Sequence, residues 1–252
     1  MKHKVFGILI ILLISAASQS QDTECDSTLS SGDTKYRNFK NYKALDIFTT
    51  AHKECPDNFE ALMKSTRAYI DAGEDTSGSA AESFFIQGML YADTMMHVFP
   101  DSVQSYFLKS AAAANLAMFK GGKERVKLAR IIERNAKKAV SLDPSYAPPY
   151  AILGGYYREV ANISPIMKFF AKTFFGDLPD GTLEDSEYYY KKTISLQPDN
   201  IYAHIGIART YLSMNETQKA TYHLEKVMEL PVSNHYHPVL KRESKEHLEI
   251  LK

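Results

Sequence analysis

Tryptophan is absent from this 252-residue chain, and cysteine occurs only twice. The two cysteines, Cys25 and Cys55, lie 30 positions apart, so no CxxC redox or zinc pair exists. Excess charge is also missing: 30 Lys and Arg stand against 30 Asp and Glu. Such a balance gives nonspecific nucleic-acid binding no support. No GxSxG, HExxH or phosphate-loop pattern is present, and Gly121-Gly122-Lys123 lacks the spacing and hydroxyl of a phosphate loop. His235-Tyr236-His237 lacks further ligands at a known spacing, so no metal and no cofactor are expected. No segment shows the strict alternation of a half-buried strand.

What is there begins with a leader. Lys2, His3 and Lys4 form a basic start, and Gly7 to Ala17 is an apolar run of eleven residues. A membrane span needs about 20 residues. The run therefore reads as the hydrophobic region of a signal peptide over 1–20, cleaved after Ser18 or Ser20. Secreted or periplasmic localisation follows as an expectation. Residues 21–34 read as a flexible segment and 35–252 as one helical domain. In an exported chain Cys25 and Cys55 either form a disulfide or stand as two buried thiols.

Prolines punctuate the domain. Pro56, Pro100, Pro144, Pro198 and Pro231 stand 44, 44, 54 and 33 residues apart. Each interrupts a helix, and a polar residue just after it can cap the next one. Ten residues beyond the first four stand Thr66, Ser110, Gly154 and Ala208, all small, as close helix packing requires. The aromatic, Leu-Gly and Tyr series at Tyr150, Leu153-Gly154 and Tyr157 resembles the first helix of a tetratricopeptide repeat (TPR). The expected fold is all-α: a TPR-like right-handed solenoid of about four helix pairs, with an N-terminal helix and a C-terminal capping helix.

Residues 136–252 carry a closer resemblance. Leu153-Gly154-Gly155-Tyr156-Tyr157, Val160 to Ser164, a Phe-rich insert, Thr182 to Ser186, and Glu229 to Val232 before a charged helix are similar to the TPR-like domain of regulator of microtubule dynamics proteins. That resemblance implies a helical-repeat adaptor without a settled catalytic motif. An export signal would separate the chain from cytosolic microtubules. Exported bacterial proteins accessory to TRAP-type transporters are a more distant analogy.

In such a solenoid the first helix of each pair lines the concave surface. Arg67, Phe107, Arg158 and Arg209 fall on inward positions, and the arginines suit a carboxylate. Asp71 and Asn115 share that inward register. Lys123, Lys127, Arg130, Arg134 and Lys137 form a basic stripe on one helix face, either a docking surface or a solvated one. The insert Pro165 to Phe175 is too apolar for an exposed loop and reads as an extra helix or a lid. The reading is of a non-enzymatic scaffold that binds a protein or peptide in its groove. The alternative is a periplasmic small-molecule or lipid carrier beside a membrane transport system. Peripheral membrane or transporter association is compatible with both, and oligomeric state is left open.

Overall fold

The computed structural model describes residues 23–175 and 180–251. Among these residues there is no strand. Helix α1 covers 23–37. It is followed by α2 (Asn41–Glu54), α3 (Phe59–Glu74), α4 (Gly78–Val98), α5 (Val103–Ala117), α6 (Gly122–Leu142), α7 (Pro148–Ala161), α8 (Pro165–Phe175), α9 (Leu183–Leu196), α10 (Ile201–Ser213), α11 (Thr217–Glu229) and α12 (His237–Ile250).

The punctuation works as local chemistry demands, with one shift. Asp57, Asp101 and Asp199 directly follow their prolines, but the cap is one residue further on. Asn58, Ser102 and Asn200 accept hydrogen bonds from the backbone N–H of Ala61, Ser105 and Ala203. The helix after Pro144 begins differently, with prolines in its first turn. Thr182 and Asp185 form a reciprocal capping box that restarts the chain after the insert.

Helices α3/α4, α5/α6, α7/α9 and α10/α11 are the four expected pairs, and α12 packs on α10 and α11 as the terminal cap. The small residues sit where packing requires them: Thr66, Ser110 and Ala208 have no exposed surface. Gly154 and Gly206 admit the ring of Tyr190 between α7 and α10; a methyl group on Gly206 would lie 2.2 Å from that ring.

The N-terminal region differs from the sequence reading. Residues 23–34 belong to helix α1, where a flexible segment was expected, and a turn at Phe39 separates α1 from α2. Cys25 and Leu29 explain the order, since both are buried against Ala44, Leu45 and Phe48 of α2 and Ala68 of α3. Cys25 and Cys55 are joined as a disulfide, with Cα atoms 6.3 Å apart.

The insert forms α8, which touches α6. Ile166, Met167, Phe169 and Phe174 are each more than 60% exposed. The leader over 1–20 lies outside the described residues. Among the described residues no helix is long and apolar enough to cross a membrane.

Candidate functional site

Successive first helices touch one another: α3 meets α5, α5 meets α7, α7 meets α10, and α10 meets α12. The second helices α4, α6, α9 and α11 make no such contacts with each other. The first helices therefore form the inner, tighter face of the solenoid.

The expected binding residues have different surroundings there. Arg67 on α3 is half-buried and makes no ion pair among the described residues. Its charge acts on two tyrosines. Burial first, and Asp71 second, push Tyr36 far above its ordinary value, while Arg67 pulls the other way. Tyr146 is raised by burial, again against Arg67. Phe107 on α5 is half-buried, with its ring edge-on to Tyr146 at 5.7 Å.

Arg158 on α7 gives one nitrogen, Nη2, to Glu159 at 2.8 Å. Its Nη1 is buried with no hydrogen-bond partner. Arg209 on α10 is taken up internally. Nε donates to Glu243 Oε1 at 2.7 Å, and Nη2 donates to Glu243 Oε2, tying α10 to α12. Although burial works against it, Arg209 holds the Glu243 carboxyl below its usual range. Burial raises the Tyr190 hydroxyl, and Arg158 and Arg209 both pull against it, whereas Arg67 acts on Tyr36 and Tyr146.

The basic stripe lies on α6, with Lys123, Lys127, Arg130, Arg134 and Lys137 all exposed. Lys137 is engaged, 2.6 Å from Glu133 and over the ring of Tyr157.

One feature of the inner face had no signal in local sequence. The loop between α11 and α12 crosses to α3, so residues 160 positions apart meet. Asn234 shapes this loop, accepting from the Tyr202 hydroxyl at 3.0 Å and from the Tyr236 N–H at 2.8 Å. His235 Nδ1 lies 2.7 Å from Asp75 Oδ1. Its Nε2 faces Glu74 Oε2 at 3.4 Å and Asp71 Oδ1 at 3.5 Å. Behind them, Asn41 donates to Asp75 at 2.7 Å and Asn115 to Glu74 at 3.3 Å. Burial raises the Glu74 carboxyl above its ordinary value. His235 is raised to about 10 because the carboxylates outweigh the burial that would lower it. Asp71 was legible as an inward position; Glu74, Asp75 and the reach of His235 were not. His237 points elsewhere, accepting from the Ser233 N–H at 3.2 Å.

Comparison with known proteins agrees with this architecture. The TPR protein TTC0263 of Thermus thermophilus superposes with a TM-score of 0.68 at 20% identity, over 89% of this chain and 99% of that one. MamA from Desulfovibrio magneticus RS-1 superposes at 0.50 and 16% identity, over 82% and 94%. These likenesses show a TPR-like solenoid.

Regulator of microtubule dynamics protein 2 of Rattus norvegicus is 22% identical over 204 residues, 80% of this chain and 48% of that protein. Protein 1 of Mus musculus is 22% identical over 224 residues, 87% and 72%. The chain thus spans about half the length of the protein 2 relatives it matches. These animal relatives overturn the secreted or periplasmic placement, because their name ties them to microtubules, which are cytosolic polymers. A short apolar run after a basic start is the pattern that suggested export, and it is not sufficient to establish it. With that placement falls the objection that an exported chain could not share this family's setting. The family model for regulator of microtubule dynamics protein 1-3 matches residues 24–252, nearly the whole described chain and well beyond the C-terminal part where the motifs are plainest, and the chain belongs to that family.

Proposed function

We propose that this chain is a non-enzymatic scaffold that holds an acidic segment of a partner protein on its concave face, with Arg67 and Arg158 as the gripping groups. The observation that carries this reading is the buried, unpartnered Nη1 of Arg158. A guanidinium nitrogen removed from water without an acceptor is costly, and a partner's carboxylate would supply that acceptor. Arg67, without an ion pair among the described residues, adds a second cation. Arg209 is assigned to holding α12 in place and not to the partner.

The test is affinity capture of the tagged full chain from cells, quantified against variants. Arg67→Ala and Arg158→Ala together are expected to lower recovery of a specific protein at least tenfold, while Arg134→Ala on the outer stripe leaves it unchanged. The relatives' name makes a microtubule-associated protein the first candidate to seek. Equal recovery with all variants would sink the concave-face reading. A co-purifying lipid or metabolite with no protein partner would favour a small-molecule carrier.

A second reading rests on α8. Its exposed Ile166, Met167, Phe169 and Phe174 lie on a helix that touches the lysine- and arginine-bearing α6. An apolar helix beside basic side chains suits the surface of an anionic bilayer. Flotation with vesicles containing phosphatidylserine is expected to carry the chain upward, and Phe169→Ser with Phe174→Ser to abolish this; equal flotation with neutral vesicles would count against it.

A further inference from the structure

The group around His235 has the geometry of a cation site, and nothing in the family assignment requires one. A tetrahedral divalent ion bound at about 2.1 Å holds its ligands about 3.4 Å apart. The Nε2-to-carboxylate separations here are 3.4 and 3.5 Å. One atom each from Asp71, Glu74 and His235 lies within 4.8 Å of the others.

The same distances fit a direct hydrogen bond poorly. A charged N–H donated to a carboxylate sits at about 2.7–2.9 Å. The His235 side chain is only 4% exposed, and its Nε2 has no hydrogen-bond partner. Asp71 Oδ2 is buried and unpartnered as well. The outer contacts complete the pattern. Asp75 accepts from Nδ1, which aims Nε2 at the Asp71 and Glu74 carboxylates, where an entering cation displaces the Nε2 proton, and Asn41 fixes Asp75. Metal-ligating histidines are habitually oriented by a carboxylate in this way. Asn115 steadies Glu74.

We infer that Asp71, Glu74 and His235 bind one divalent cation of the zinc class, which fastens the α11–α12 loop to α3 and closes the inner face of the solenoid. The imidazole selects a borderline ion over calcium or magnesium, which prefer all-oxygen sets. Three protein ligands leave a fourth position for water. The role is structural: the ion joins Asp71 and Glu74 on α3 to His235, more than 160 positions further along the chain.

The test uses the full chain, stripped with EDTA and titrated with zinc chloride by calorimetry, with thermal unfolding in parallel. One equivalent is expected to bind and to raise the unfolding temperature, whereas calcium chloride does neither. Glu74→Gln and His235→Gln lose the binding and the thermal shift. Asp75→Asn, which leaves the ligands in place, weakens affinity about 10–100-fold. His223→Gln, on α11 where its Nδ1 lies 2.9 Å from that of His204, binds as wild type. Circular dichroism identifies any variant that fails to fold, and Asp75→Asn then decides. No stoichiometric zinc binding, or binding unchanged in Glu74→Gln and Asp75→Asn, overturns the inference.

Discussion

Tyr190 shows how much of this fold depends on single contacts. Its ring fills the space between α7 and α10 that Gly154 and Gly206 leave open, and it is 5% exposed. A buried ring cannot swing aside, so Gly206→Ala is expected to cost about 1–3 kcal/mol from overpacking. A chemical denaturation midpoint at unchanged slope measures it. Another residue-scale prediction concerns the pair His204 and His223, whose Nδ1 atoms lie 2.9 Å apart. His204 Nε2 faces the carbonyl of Pro198, so His204 donates there and accepts from His223 at Nδ1. Burial, helped by the nearby Lys191 charge, lowers His223 from 6.5 to about 4. The unfolded chain therefore binds the proton more readily than the folded one. Stability from this site is full above about pH 6.5 and is lost as pH falls toward 4. Thermal unfolding followed between pH 7 and pH 4 should show a steeper acid loss in wild type than in His223→Gln; parallel curves would contradict it.

At the scale of elements, the prolines and the small residues ten positions beyond them made most helices legible, because both act locally. Proline ends a helix wherever it falls, and a close helix crossing admits few side chains. Helix α1 was not legible for the opposite reason. Its stretch, with Glu24, Asp26, Ser27, Ser30 and Ser31, is polar by composition, and its anchors are few: Cys25, Leu29 and Gly32 are buried and Tyr36 packs on Phe48. Order there comes from tertiary packing and from the link to Cys55. A cross-link closing a loop of this length contributes about 3.6 kcal/mol in the chain-entropy model. Adding reductant, or replacing Cys25 by Ser, is expected to lower the unfolding temperature and to raise hydrogen exchange in α1 before it rises in α5 or α7. Uniform exchange across the helices would show that α1 does not depend on the bridge. Helix α8 is the converse case: its apolar composition announced a helix or a lid, but composition could not say that Ile166 and Met167 would stay exposed.

For the whole molecule, the missing piece of the sequence reading was closure. A repeat predicts contacts between neighbours, and nothing in a repeat predicts that the α11–α12 loop returns to α3. Asp71 stood in the inward register, yet its partner His235 belonged to a histidine pair that had suggested no site. Asn234 holds the loop in shape, so Asn234→Ala, by releasing Tyr202 and Tyr236, is expected to cost about 1–3 kcal/mol. It should also enlarge the radius of gyration measured by small-angle scattering; unchanged scattering would mean that closure does not depend on Asn234. If the proposed concave site is correct, a closed inner face keeps Arg67 and Arg158 at fixed positions before any partner arrives. The most direct measurement is photo-crosslinking in cells, with the probe placed in turn at Glu159, exposed on the concave helix α7, and at Tyr222, exposed on the outer helix α11. Crosslinks to a specific protein from position 159 and not from position 222, lost in Arg67→Ala, are the predicted result. Crosslinks equal from both faces, or confined to position 222, would contradict a concave binding surface.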